Sequence, residues 1–232
     1  MTTLAQHPSK DVERREACIP PLGLAGDLWI PAAASSIVAF AHGSGSSRFS
    51  PRNRDVAHVL NTRGIATLLF DLLTAEEEAD RANVFDIPLL AERLVQAVRW
   101  LDRQPGVAGL PLGLFGASTG AAAALVAAAE LGSRVGAVVS RGGRPDLAGS
   151  ALDRIRVPTL LIVGGTDLVV IELNEQALAR LRGPKVLQIV PGASHLFPER
   201  GALEAVIVHA AQWFERHLAV PAPGSLSATH AG

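Results

Sequence analysis

Short apolar runs recur along the chain, each too brief for a helix, and stretches of helical periodicity separate them. The runs are 36–41 (SIVAFA), 65–70 (IATLLF), the residues leading from 112 into 116, then 135–140, 158–163 and 185–190. Near-continuous hydrophobicity over five or six positions predicts strands buried on both faces, as in a parallel sheet covered by helices. Helices are predicted from 52 or 53 to 62, with Val56, Val59 and Leu60 on one face, and from 87 to 103. Others follow residue 118 through an alanine-rich segment, and run from 171 to 181 and from 202 to 217. A further strand is expected at 24–30 with a turn at 31–35, and residues up to Arg15 read as a mobile or edge segment. The acidic excursion 72–86, with Glu76, Glu77 and Glu78, reads either as a small flap or as a solvated turn.

This alternation predicts an α/β fold with a mainly parallel central sheet, helices on both faces and little or no cap domain. The domain is expected over 21–218, after an N-terminal segment 1–20 and before a tail, 219–232, whose Pro, Ala, Gly and Ser content predicts disorder.

Composition narrows the function classes only slightly. A net charge of -1 gives no global reason to expect nucleic acid or an anionic membrane as partner. The one cysteine, Cys18, allows no intramolecular disulfide, and residues 1–20 carry no apolar leader core, which together favour a cytoplasmic location. A homodimer is compatible with the sequence.

Chemistry concentrates at Gly116-Ala117-Ser118-Thr119-Gly120, a G-x-S-x-G pattern between an apolar run and a helix of small residues. A serine on such a strand-to-helix turn is held in a strained conformation with its hydroxyl projecting, and the Thr119 N–H points at an oxygen arriving beside it. Candidate residues also end the other apolar runs: His42, Asp71, Arg141, Asp167 and His195. In open α/β sheets, sites lie at the carboxyl ends of strands.

Over roughly 24–218 these features resemble the α/β-hydrolase fold, and within it the compact dienelactone-hydrolase-like branch. The resemblance is carried by HGSGSS at 42–47, GASTG at 116–120, GGTD at 164–167 and GASH at 192–195. Dienelactone hydrolases proper have cysteine at the elbow, whereas this chain has Ser118, and Cys18 lies far upstream. The resemblance implies Ser118 as nucleophile, His195 as general base and Asp167 as its orienting acid. Asp167 could instead cap the following helix, and Asp146 and Asp71 are spare acids. The loop after His42 implies a second oxyanion donor, assigned to the Ser44 N–H beside that of Thr119.

Arg48, Arg52, Arg54, Arg141 and Arg144 cluster after strand ends. An anionic substrate would use some of them, with His42, Arg48, Arg141 and Arg144 as candidate contacts, while local ion pairing is the alternative. There is no metal-ligand pattern and no dinucleotide fingerprint, so no cofactor is expected. The expected activity is hydrolysis of a small ester, thioester or lactone-like substrate through an acyl-Ser118 intermediate. An acyltransferase or perhydrolase on the same triad, and a non-catalytic binding member of the fold, are the alternatives.

Overall fold

The computed structural model describes residues 12–219. The expectations for residues 1–11 and for the tail from 220 onwards lie outside them. Eight strands, β1 (Val12–Ile19), β2 (Leu24–Pro31), β3 (Ser36–Ala41), β4 (Ile65–Phe70), β5 (Leu112–Ala117), β6 (Val135–Arg141), β7 (Thr159–Gly164) and β8 (Lys185–Val190), form one sheet. Their order is β1-β2-β4-β3-β5-β6-β7-β8. The β1–β2 and β2–β4 pairs are antiparallel and the rest parallel.

Strand alternation divides the core. In β3, Ile37 and Ala39 face one helical layer and Val38 and Phe40 the other. The first layer is built from α4 (Ile87–Leu101), α5 (Thr119–Leu131), α6 (Leu168–Arg180) and a 3-10 segment, Pro145–Arg154; the second from α1 (Pro51–Thr62) and α7 (Ala202–Leu218). Leu94, Leu125, Leu60 and Phe214 are wholly enclosed, and burying each such side chain contributes roughly 1.5–3 kcal/mol.

The sheet begins before the expected domain limit of residue 21, because Val12–Ile19 pairs along the whole of β2. This edge strand buries only Ala17 and Ile19, which is why its sequence reads as polar. The excursion after β4 forms two single-turn helices, α2 (Ala75–Glu78) and α3 (Arg81–Val84). Glu77 anchors them: its carboxylate accepts the Thr74 N–H at 3.0 Å and the Arg93 guanidinium at 2.8 Å.

Candidate active site

Ser118 joins β5 to α5 with φ 52 and ψ -120, a conformation that costs a non-glycine residue about 1–3 kcal/mol. The flanking glycines make it possible. A Cβ on Gly116 would lie 2.4 Å from Ala121 Cα, and one on Gly120 would lie 2.3 Å from the Ala41 carbonyl oxygen. The turn is held from the β6 side, where the Ser118 N–H donates to the Arg141 carbonyl and the Arg144 N–H donates to the Ser118 carbonyl, both at 3.2 Å.

His195 Nδ1 and Asp167 Oδ2 are 2.7 Å apart. Asp167 precedes α6 but makes no side-chain capping bond, so the capping alternative does not describe it. The spare acids are occupied elsewhere, Asp146 by both branches of Arg144 and Asp71 by Arg48. Backbone bonds stitch the acid and histidine loops together, with Thr166 N–H and Oγ1 both donating to the Ala193 carbonyl. Glu199 fastens the other side by accepting the Ser194 N–H at 3.0 Å, and hydrogen bonding from Ser194, its side chain first and its N–H second, holds the carboxyl below the usual range.

The Arg141–Gly142 corner touches both loops, the Ser118 N–H donating to the Arg141 carbonyl and the His195 loop packing on Gly142. Gly142 has φ +53, and a Cβ there would lie 2.9 Å from the His195 carbonyl oxygen and 3.7 Å from His195 Cε1. Among the described residues no hydrogen bond joins Ser118 Oγ to His195 Nε2; the bond the imidazole makes is the one from Nδ1 to Asp167. Such contacts commonly tighten only when substrate binds.

Two oxyanion donors were expected. Thr119 begins α5, so its N–H has no intrahelical acceptor. The Ser44 N–H, however, donates to Thr119 Oγ1 at 2.9 Å, which corrects its expected role as a free donor. The oxyanion loop nevertheless lies against the elbow, since a Cβ on Gly43 would be 3.0 Å from Ser118 Cβ.

His42 is also corrected as a substrate contact. Its Nε2 accepts the Leu72 N–H at 3.1 Å and its Nδ1 lies 3.0 Å from the Gly43 carbonyl. That pattern requires the neutral Nδ1–H tautomer, and burial pushes the imidazole below its ordinary value of 6.5. Arg48 and Arg144 are engaged with Asp71 and Asp146 and are not free for substrate. Arg141 is buried, with one bond to Asn53 Oδ1, and desolvation, with the Arg52 charge second, pushes it down to about 10. His217 is half-buried against Trp213 with an enclosed Nε2.

Several contributors carry no recognisable sequence signal. Asn174, buried in α6, donates to the Gly143 carbonyl at 3.0 Å and so fixes the loop after β6. A small cleft beside the elbow is lined by His42, Gly43, Leu72, Leu73, Val84 and Leu90, and Leu168, Val169 and Leu196 are exposed on the side of the acid and histidine loops. Among the described residues no group of His, Cys, Asp and Glu is placed to hold a metal ion, and no helix is long and apolar enough to cross a membrane.

Comparison with known proteins agrees with this architecture. The dienelactone hydrolase family matches residues 44–219. A dienelactone hydrolase from Anabaena variabilis superposes with a TM-score of 0.86 at 56% identity, over 90% of this chain and 100% of that one. Est1E from Butyrivibrio proteoclasticus shares the fold at a TM-score of 0.74 and 15% identity, over 89% of this chain and 99% of that one. Proteins of two Mycobacterium tuberculosis strains, named "Putative phosphoribosyl transferase", are 58% identical over 219 residues. That match takes in 94% of this chain but 49% of theirs, so the chain spans about half the length of these curated relatives.

Proposed function

The chain belongs to the dienelactone hydrolase family, and on that premise we propose that it is a serine hydrolase of small carboxylic esters, thioesters or lactones. Ser118 Oγ attacks the acyl carbonyl while His195 Nε2 takes its proton. The carboxylate of Asp167 holds the Nδ1–H tautomer and stabilises the imidazolium that forms. The tetrahedral oxygen is received by the Thr119 N–H at the positive end of α5, with the Thr119 hydroxyl polarised by the Ser44 N–H beside it. His195 then returns the proton to the leaving group, and water, activated by the same imidazole, releases the acid.

The observation that carries this reading is the 2.7 Å Asp167–His195 bond, made by an aspartate that leaves its own helix uncapped. The reaction named for the Mycobacterium tuberculosis relatives is a different one, and it does not require a serine, an aspartate and a histidine set at three strand ends.

Hydrolysis of p-nitrophenyl acetate tests the proposal. A burst of nitrophenolate equal to the enzyme concentration, absent from Ser118→Ala, is the expected result; full activity in Ser118→Ala would refute the serine mechanism.

A further inference from the structure

Five arginines cluster around the site, and three are paired. Arg48 lies on Asp71 and near Asp27, Arg54 near Asp27, and Arg144 on Asp146. Among the described residues neither Arg141 nor Arg52 reaches a carboxylate. Arg141 is only 5% exposed. Its Nη2 makes one long bond to Asn53 Oδ1, 3.3 Å, while among the described residues Nε and Nη1 have no acceptor and neither is sealed from solvent. A guanidinium enclosed in this way has given up hydration and received little in return.

Its place in the fold is specific. Arg141 has the same strand parity as Ala137 and Val139, so it leaves the sheet on the α1 and α7 side. There it lies between the first turn of α1, which carries Arg52 and Asn53, and Phe197 of the histidine loop, whose ring is 6.0 Å from its Cζ. Phe197 holds φ 56 although it is not glycine, so the loop is strained two residues after His195. The carbonyl of the same Arg141 accepts the Ser118 N–H, which sets the base of this side chain beside the nucleophile. The N-terminal end of the twelve-residue α1 dipole adds positive potential next to Arg52, although Pro51 has no N–H and the Asn53 N–H is capped by Ser50.

We propose that Arg141 and Arg52 form an anion-binding subsite beside Ser118 that takes a phosphate group carried by the substrate. That the substrate is an ester rests on the serine-hydrolase reading; that the anion binds does not. Two cations without a carboxylate call for a dianion, and guanidinium forks match phosphate oxygens in pairs. Arg141 remains protonated at neutral pH even with its affinity for the proton lowered by burial.

The test uses melting temperatures of the wild type and of Ser118→Ala in chloride, acetate and inorganic phosphate at matched ionic strength. Phosphate should raise both melting temperatures saturably and more than acetate, and Arg141→Met and Arg52→Gln should each remove the phosphate-specific rise. For two matched esters, one bearing a phosphate and one a hydroxyl, the ratio of kcat/KM should fall roughly 10- to 100-fold in either variant, the loss expected for a hydrogen-bonded charge. Arg141→Met should melt no lower than wild type, because it removes an unpaired buried cation. A lower melting temperature, with the phosphate rise kept in Arg52→Gln, would mark Arg141 as structural and overturn the subsite. Equal shifts from acetate and phosphate would overturn the phosphate assignment, and no anion-specific shift in the wild type would overturn both. If the serine reading alone fails, neither ester is hydrolysed but the phosphate shift persists in Ser118→Ala.

Discussion

Ser118 occupies backbone angles that an unstrained chain avoids, and the hydrogen bonds of its own peptide to Arg141 and Arg144 hold it there. Strain of this kind persists only where the surroundings over-determine it. The motif made the elbow legible in the sequence, since glycine at 116 and 120 is required by contacts under 2.5 Å. The choice of acid was less legible, because an aspartate at a strand end before a helix fits a cap equally well. In the structure Asp167 makes no capping bond and lies 2.7 Å from His195, the arrangement the proposed acid requires. Asp167→Asn should therefore lower kcat by about 10⁴-fold through the wrong imidazole tautomer, with little change in melting temperature, as steady-state kinetics and calorimetry would show. Gly142→Ala should cost about 1–3 kcal/mol of stability, because alanine is strained at φ +53. It should lower kcat as well, since the new methyl group presses on the His195 carbonyl; denaturant melts and kinetics check both.

At the scale of elements, the site is a set of loops tied to one another. The oxyanion loop is held to the segment after β4 by His42 and to α5 by Thr119. His42 accepts the Leu72 N–H only when neutral, and its folded value is depressed below 6.5. Between the folded and the unfolded value the unfolded chain binds more protons, so stability is complete above about pH 6.5 and declines as pH falls below it. His42→Gln should flatten that decline, read as melting temperature from pH 7.5 downwards; an unchanged slope would contradict the assigned tautomer. Thr119→Val removes the acceptor of the Ser44 N–H and a hydroxyl beside the developing oxyanion. Loss of one such donor costs about 10²- to 10³-fold in kcat, and Thr119→Ser should recover most of it.

The buried strands were legible because their apolar runs coincide with their pairing, as at Ser36–Ala41 and Ile65–Phe70. β1 was not, because its charged side chains face solvent or pair across the edge, as Arg14 does with Asp27. The single-turn helices α2 and α3 were missed because four residues are too few to show a period. α6 begins at Leu168, three residues before its predicted start, because its first two apolar residues are exposed and contribute nothing to a buried face.

Across the whole molecule, the residues assigned to the reaction come from three widely separated parts of the chain, and parallel order in the sheet sets their loops at the same ends of neighbouring strands. β5 carries Ser118, β7 ends at the Asp167 loop and β8 leads to His195, with β6 between β5 and β7 supplying the Arg141–Gly142 corner. Ion pairing between distant side chains could not be read from sequence, and it is what separates Arg48 and Arg144, which are occupied, from Arg141, which is not. Family membership fixes the fold and the general chemistry, while the nucleophile is a claim about one hydroxyl. Reaction of the folded protein with a serine-directed fluorophosphonate, followed by peptide mass spectrometry, measures it directly. Label confined to Ser118, lost in Ser118→Ala and slowed in His195→Ala, is the expected outcome; a folded protein that takes no label at Ser118 contradicts it.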